Sequence, residues 1–201
     1  MSNNKVHFGV KNAYVFPITE TVDPDTGVVS TTYGDAVKWP GAVSIDLQAQ
    51  GSQENFYADD SIYYVVSNTN FYQGDFESAS IPDAIKEVLY GDIIDDNDAV
   101  VEIQEATTKY FAFAFETSGD VGGHRTVFYK CSATRPNAGG STKTDSSAPQ
   151  TQTVTITAIG RADEVNINAK MVHLIQASLN EGDTGYSSFF TTPYTPTVTS
   201  H

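Results

Sequence analysis

Apolar and polar residues alternate with a period of two along most of this chain, which is the pattern of half-buried β-strands. Residues 43–47 read VSIDL and residues 153–159 read TVTITAI, so that each segment has one aliphatic face. In the second segment the opposite face is a ladder of threonines. Both segments are predicted as strands.

Aromatic and β-branched runs extend this pattern. Residues 13–18 (AYVFPI) predict a short strand that ends at Pro17, and residues 62–66 (IYYVV) predict another. DPDTG at residues 23–27 has the Pro and Gly placement of a tight turn. It splits the extended runs on either side of it into a predicted hairpin.

Two further segments predict strands with distinct faces. Residues 110–115 (YFAFAF) place three phenylalanines on one face and two alanines on the other, where a neighbouring layer can approach closely. In residues 126–134, the alternation puts Val127, Tyr129, Cys131 and Ala133 on one face.

A single helix is predicted over residues 82–90. Ile81, Ile85, Val88 and Leu89 recur at helical spacing, Ser80 is placed to cap the start, and Gly91 stops the helix. One helix among eight to ten strands indicates a sheet system with a helix packed on it.

Two segments lack this alternation. Residues 135–150 have almost no apolar content, and a loop of that length in a compact domain usually contacts something else. Residues 182–201 are rich in Thr, Pro and aromatic residues and predict an extended arm. We therefore expect a domain over residues 1–181 and a C-terminal arm over residues 182–201.

The charge of the chain is concentrated in one block. Residues 46–105 contain fourteen acidic side chains and one base, Lys86, which accounts for nearly all of the formal net charge of −14. Such a surface repels phosphate backbones and attracts cations. The lone Cys131 excludes an intrachain disulfide, and no secretory signal or long apolar run is evident, so a protein that folds in a cytoplasm is expected.

Catalytic and metal-binding patterns are weak. A calcium site over residues 92–102 lacks the glycine of an EF-hand loop, since Val101 stands at the sixth position. His7, His124, His173 and His201 are far apart in sequence, with His173 in a predicted strand, and Cys131 is expected to be buried and inert. We expect no enzyme activity, no cofactor and no metal.

Two long passages resemble one protein family. Residues 55–91 include FYADD and NTNFYQGDFESASIPDAIKEVLYG, and residues 125–161 begin RTVFYKCSATRP and end APQTQTVTITAIGR. Weaker likeness extends to GVKNAY at residues 9–14 and SFFTTPY at residues 188–194. In this order the passages are similar to the major tail proteins of long, flexible-tailed phages that infect Gram-positive bacteria. The chain departs from that pattern at Gly160 and Phe189, where relatives often have Pro and Trp.

The resemblance implies a β-sandwich or β-barrel with one flanking α-helix, a long inter-subunit loop and an extended C-terminal arm. It implies hexameric rings that stack into a tube in the virion tail, assembled in the host cytoplasm with tape-measure, tail-terminator and baseplate proteins. Genomic DNA would pass through without specific binding, and no membrane partner is expected.

An acidic bore would let a polyanion pass without adhering, because each phosphate contact adds retention. The candidate residues fall into three sets. The lumen-facing acids are Asp46, Glu54, Asp59, Asp60, Asp75 and Glu77; the inter-subunit loop residues are Arg135, Asn137, Lys143, Asp145 and Gln150; the arm anchors, expected to hold an adjacent ring, are Phe189, Phe190 and Tyr194.

Two other functions remain open. A carbohydrate-binding β-sandwich module of a phage or bacterial surface structure would present exposed aromatic residues, for which the candidates are Tyr57, Tyr63, Tyr64 and Tyr72. A hydrolase would require two carboxylates to converge in a pocket.

Overall fold

The computed structural model describes residues 5–58, 61–103, 108–119, 121–137, 139, 150–167 and 170–196. Within these residues it has thirteen strands and one helix. The elements are β1 (His7–Val22), β2 (Val29–Tyr33), β3 (Val37–Trp39), β4 (Ala42–Ala58), β5 (Ser61–Ser78), α1 (Asp83–Tyr90), β6 (Ile93–Ile94), β7 (Val100–Val101), β8 (Phe111–Gly119), β9 (Gly123–Ala133), β10 (Gln152–Ile159), β11 (Val165–Ile167), β12 (Lys170–Val172) and β13 (Gln176–Asn180).

Nine of the described strands form one antiparallel sheet. Its path is β2-β1-β8-β9-β10-β5-β4, with β3 added on β1 and β13 added on β9. The first and last strands of this path, β2 and β4, do not pair with each other, so the sheet is not closed into a barrel. It folds over its own core. The predicted fold class, mainly β with one helix, is confirmed, and the architecture is consistent with a sandwich.

The centre of the sheet is apolar on both faces. On one face, Phe111 and Phe113 of β8 pack with Trp39, Phe76 and residues of α1. On the other face, Ala112 and Ala114 pack with Phe16 and Phe189. The alternation of Phe and Ala in β8 therefore separates two apolar layers, as its sequence indicates.

The helix is confirmed, except for its cap. Ile85 and Leu89 are buried, and Gly91 ends α1 in the left-handed conformation with a φ of 71°. Pro82 occupies the N-cap position without a side-chain hydrogen bond, so the predicted Ser80 cap is wrong. The Ser80 carbonyl instead accepts a hydrogen bond from the Trp39 indole at 3.2 Å. No helix among the described residues has the length and apolar character needed to cross a membrane.

The first predicted strand extends farther along the chain than its sequence indicates. The turn at residues 23–27 is confirmed, since Gly27 N donates to the Asp23 carbonyl at 2.8 Å. However, β1 continues through Pro17 to Val22. Proline is compatible with an extended backbone, and the Pro17 carbonyl still accepts a hydrogen bond from Gly34 N at 2.8 Å.

Register shifts correct two predicted faces. Between Phe111 and Phe113 of β8, the pairing with β9 moves from Cys131 to Phe128, three residues instead of two. Cys131 therefore joins the layer that contains Phe128, while Val127 and Tyr129 join the opposite layer.

The same effect explains an exposed valine in β4. The pairing of β4 with β5 steps from Ala42 to Ser44 while the partner moves by one residue, and this bulge turns Val43 outward.

The longest feature is the hairpin of β4 and β5, with strands of 17 and 18 residues. The sequence predicts only parts of it as strand. Residues 72–78 of β5 also pair with β10, and this links the base of the hairpin to the main sheet. From Tyr72 toward the tip of the hairpin, β4 and β5 continue to pair with each other.

We predict that Gly74→Ala destabilises the protein by about 1–3 kcal/mol, because overpacking has a cost of this order. A Cβ at Gly74 would lie 1.7 Å from the Asp46 carbonyl oxygen, so the strands would have to separate. Gly34→Ala is the control, since its Cβ would meet Pro17 at an ordinary 3.6 Å. Urea unfolding measures both; equal stabilities of the two variants would contradict the close strand approach.

Candidate functional surface

Three of the six predicted lumen acids lie on one face of the sheet. Asp46 pairs directly with Asp75 across β4 and β5, and Glu77 lies two residues farther along β5. Asp46 and Asp75 are exposed, and Glu77 is partly exposed. We call this outer surface of β4, β5 and β10 the acidic face. It backs onto the apolar side chains of Ile45 and Phe76 in the core.

Hydroxyl and amide groups, not bases, surround these carboxylates. Thr155 Oγ1 donates to Asp75 Oδ1 at 2.7 Å, and Ser44 Oγ donates to Glu77 Oε2 at 3.0 Å. Gln48 Nε2 donates to Asp46 Oδ2 at 3.3 Å. None of the ion pairs formed within the described residues includes these three acids. Among the described residues, no ion pair therefore compensates the negative charge of this face.

The other predicted lumen acids are not placed on this face by the structure. The backbone of Glu54 pairs with Val66 in the outer part of the hairpin, and its side chain lies outside the described part of the chain. Asp59 and Asp60 also lie outside the described residues.

Three of the acids after α1, Asp92, Asp95 and Glu102, have structural partners. Asp92 is buried and accepts a hydrogen bond from Arg135 Nη1 at 3.0 Å, while Arg135 Nε lies 2.9 Å from Glu102. Asp95 accepts backbone hydrogen bonds from Ala99 and Asn97, and these lower the pKa of Asp95. Within the described ranges, no group of three or more potential ligands is suited to a metal ion.

Two of the predicted inter-subunit loop candidates, Asn137 and Gln150, border a cavity of about 450 Å³, together with Pro136 and Gly139 of the same loop. Arg135 is committed to the pairs with Asp92 and Glu102 in its own chain, and its guanidinium lies 4.6 Å from the centre of the Tyr90 ring. Lys143 and Asp145 fall outside the described residues.

The predicted arm anchors contact their own chain. Phe189 is completely buried in the layer formed with Ala112 and Ala114, where the small side chains leave room for its ring. Phe190 stacks on Tyr14 with ring centres 4.7 Å apart, and Tyr129 donates its hydroxyl hydrogen to the Tyr194 carbonyl. Residues 182–196, which we call the C-terminal strap, therefore cover the sheet of their own chain. The predicted contact of Phe189 with an adjacent ring would require this side chain to leave the core.

The alternation of the sequence does not predict the ion pair that fastens the strap. Glu116 on β8 is 5% exposed, and Arg125 Nε on β9 lies 2.9 Å from its carboxylate. The Arg125 guanidinium lies 3.8 Å from the centre of the Tyr186 ring and 4.5 Å from that of Phe190. The pairing of Glu116 with Arg125 follows from the register of the β8–β9 hairpin, which the alternation alone does not specify.

A second missed pair lies at Arg161, near the end of the passage that resembles tail proteins. Its side chain is 7% exposed and donates from Nε to Asp163 Oδ1 at 2.8 Å. Asp163 also accepts from Thr31 at 2.7 Å, so that this pair ties the segment after β10 to β2.

The residues considered for carbohydrate binding and for a reactive thiol are partly or fully buried where the structure describes their side chains. Tyr72, the one described side chain of the proposed aromatic platform, is partly buried with its ring centre 5.3 Å from that of Phe128. Tyr57, Tyr63 and Tyr64 have side chains outside the description. Cys131 is fully buried, and burial raises the pKa of its thiol.

One pair of histidines comes together in space, and one predicted strand histidine lies outside a strand. His7 and His124 are distant in sequence, but their ring centres are 5.1 Å apart because β8 joins β1 to β9. His173 follows β12 and is not a strand residue; its Nδ1 lies 2.9 Å from the Arg161 carbonyl oxygen.

We predict that Asp46→Asn raises the free energy of unfolding by about 0.2–1 kcal/mol, because it removes a like-charge cross-strand pair. Asp35→Asn removes the same charge from a residue outside the strands and serves as the control. Urea unfolding at low salt measures both, and the gain should shrink at high salt. A loss of stability in Asp46→Asn would show that the repulsion is unimportant.

We also predict a pH-dependent role for Glu116. Burial favours a higher pKa, but hydrogen bonds from Arg125, Lys11 and Asn12 outweigh it and hold the pKa of Glu116 below its usual value of 4.5. The ionised carboxylate therefore stabilises the fold fully above about pH 4.5, and this contribution is lost as the pH falls through the lower folded pKa.

Glu116→Gln should accordingly be less stable than wild type at pH 7, with the difference narrowing below pH 4.5. Unfolding followed across pH measures this, and Glu87→Gln on the exposed side of α1 controls for loss of one carboxylate. A difference that stays constant with pH would assign the effect to packing alone.

Comparisons with known proteins do not assign this chain to a family. No protein-family model matches the chain, and no match is found among curated proteins. The likeness to major tail proteins therefore rests on the sequence passages given above.

Proposed function

We propose that this chain is the structural subunit of a phage tail tube. In this proposal, copies assemble into hexameric rings that stack around an acidic conduit, and DNA passes through it from capsid to host. Tape-measure, tail-terminator and baseplate proteins are the further partners that the resemblance implies. The chain has no catalytic role in this proposal.

The acidic face is the observation that most directly supports this proposal. Asp46, Asp75 and Glu77 lie on one side of a sheet whose other side is the protein core. Charges separated by less than the Debye length, about 8 Å at physiological ionic strength, are incompletely screened. A wall of such faces would therefore repel phosphates that approach closely, and DNA would slide without forming contacts that retain it.

The edge of the sheet offers a means of assembly. β4 is the last strand of the path, and no described strand pairs with its outer edge. A long unpaired edge is an aggregation hazard unless another chain covers it. Pairing around a closed ring would use this edge and would align the acidic faces of successive copies.

Assembly of the purified protein tests the proposal most directly. Electron microscopy of concentrated protein is expected to show rings or tubes with a central channel. Compact monomers at every concentration, together with binding to glycan arrays, would instead favour the carbohydrate-binding module. Monomers without glycan binding would contradict both functions.

The charge of the conduit is tested by Asp46→Lys combined with Asp75→Lys. Tubes of this variant should retain linear DNA at low salt and release it as salt is raised, because lysines form phosphate contacts. Asp35→Lys with Glu87→Lys makes the same change in net charge away from the acidic face and should behave like wild type. Retention of labelled DNA on a filter measures binding by each variant. Equal retention by the two variants would show that the acidic face does not line the channel.

A further inference from the structure

Two histidines from strands that are not neighbours come together on one face of the sheet. His7 pairs with Gly119 and His124 pairs with Thr117, both across β8. Residues 117 and 119 lie on the same face of β8, because side chains alternate along a strand, so their partners share that face. Gly119 adds no side chain to the space between β1 and β9. The ring centres of the two histidines are 5.1 Å apart.

A β-bulge turns His7 toward this face. The register of β1 with β8 shifts by one residue between Phe8 and Val10. Gly9, which lies at the bulge, has a φ of 43°, in the left-handed region that favours glycine. Regular alternation would put His7 and Val10 on opposite faces, whereas the bulge puts both on the face that carries His124.

The two rings are held differently. His124 Nδ1 lies 3.1 Å from Asn180 Oδ1 on β13. An amide oxygen only accepts hydrogen bonds, so Nδ1 of the neutral His124 ring carries the hydrogen and Nε2 keeps its lone pair. Histidines that bind metals are oriented in this way by a partner on the second nitrogen. Within the described part of the chain, the exposed His7 ring forms no hydrogen bond that would occupy its nitrogens.

The separation of the two rings matches a shared metal ion. A Zn–N bond to imidazole is about 2.0–2.1 Å long and the nitrogen is about 1.2 Å from its ring centre, so the ion lies about 3.2 Å from that centre. Two such bonds at a tetrahedral angle put the ring centres about 5 Å apart. The distance of 5.1 Å between His7 and His124 agrees with this value, and the inclination of 55° excludes face-to-face stacking.

We propose that His7 and His124 together bind a divalent transition-metal ion, with Zn²⁺ as the representative. Imidazole nitrogen suits Zn²⁺, Ni²⁺ and Cu²⁺, whereas Mg²⁺ and Ca²⁺ prefer oxygen ligands. Water would fill the remaining positions of the ion. The Lys11 ammonium lies 3.2 Å from Glu116, and their register places this pair on the other face of the sheet. The expectation of no metal considers spacing along the chain, in which these histidines are far apart.

A shared ion would join β1 to β9 across β8. Residues 7–10 of β1 pair only with β8 among the described strands, so their attachment rests on one neighbour. An ion that binds the folded chain alone would therefore stabilise this end of the sheet as its concentration rises. The inference goes beyond the proposed function and does not depend on assembly.

Zinc titration of the untagged chain at about pH 8, where imidazole is neutral, tests the site. Zn²⁺ is expected to bind saturably and to raise the urea concentration at which the protein unfolds. His7→Gln and His124→Gln should each raise the Zn²⁺ concentration at half-saturation by about tenfold or more, because each removes a ligand. His173→Gln is the matched control, since His173 lies outside the strands, and Mg²⁺ controls for binding at carboxylates.

The Asn180 partner supplies a second test. Asn180→Ala removes the acceptor that orients His124 and should weaken Zn²⁺ binding by about 10–100-fold. Asn180→Asp keeps an acceptor for Nδ1 and should bind Zn²⁺ at least as tightly as wild type. In the wild-type chain, Zn²⁺ should shift the NMR signals of the ring nitrogens of His7 and His124 but not those of His173.

Three results would overturn the metal site. They are the absence of saturable Zn²⁺ binding to the wild-type chain, equal Zn²⁺ affinity of wild type and His7→Gln, and ring signals of His7 and His124 that stay unchanged on Zn²⁺ addition. Each of these leaves the proposed tail tube standing, because ring and tube formation tests that function separately.

Discussion

The need to cover both faces of the central strands governs this structure. Phe111 and Phe113 require a layer on one side, which α1 and the folded-over strands provide. Ala112 and Ala114 create a shallow apolar surface on the other side, which Phe189 and neighbouring residues fill. Burial of these rings is the main source of stability, because the hydrophobic free energy scales with the apolar area removed from water.

This double coverage determines where charge can lie. Carboxylates that are buried or partly buried need partners, and Glu116, Asp92 and Asp163 have arginine partners that also hold the strap and connecting segments. Three acids without such partners, Asp46, Asp75 and Glu77, lie on the outer face of β4 and β5, the strands at one end of the sheet path. Asp46 and Asp75 lie directly opposite each other there, an arrangement that opposes stability and is therefore of interest for function.

The packing of the strap bears on the proposed contact between rings. The sequence of residues 182–201 suggests an arm that reaches a neighbour, but Phe189, Phe190 and Tyr194 are engaged within the subunit. Their exchange with a neighbouring copy would expose the alanine face, at a free-energy cost set by the buried aromatic area. Surfaces that are already exposed in the chain would not carry that cost in a contact between copies.

The sequence by itself determined the mainly β class, the single helix with its Gly91 stop, the turn at residues 23–27 and the two-faced strand at residues 110–115. These follow from local periodicity and from the conformational preferences of single residues. Only the tertiary structure decided that Cys131 changes face, that Asp46 meets Asp75, that His7 meets His124, and that Arg125 binds Glu116. Each of these depends on strand register and bulges, and register is fixed by pairing between segments distant in the chain, which alternation within one segment cannot specify.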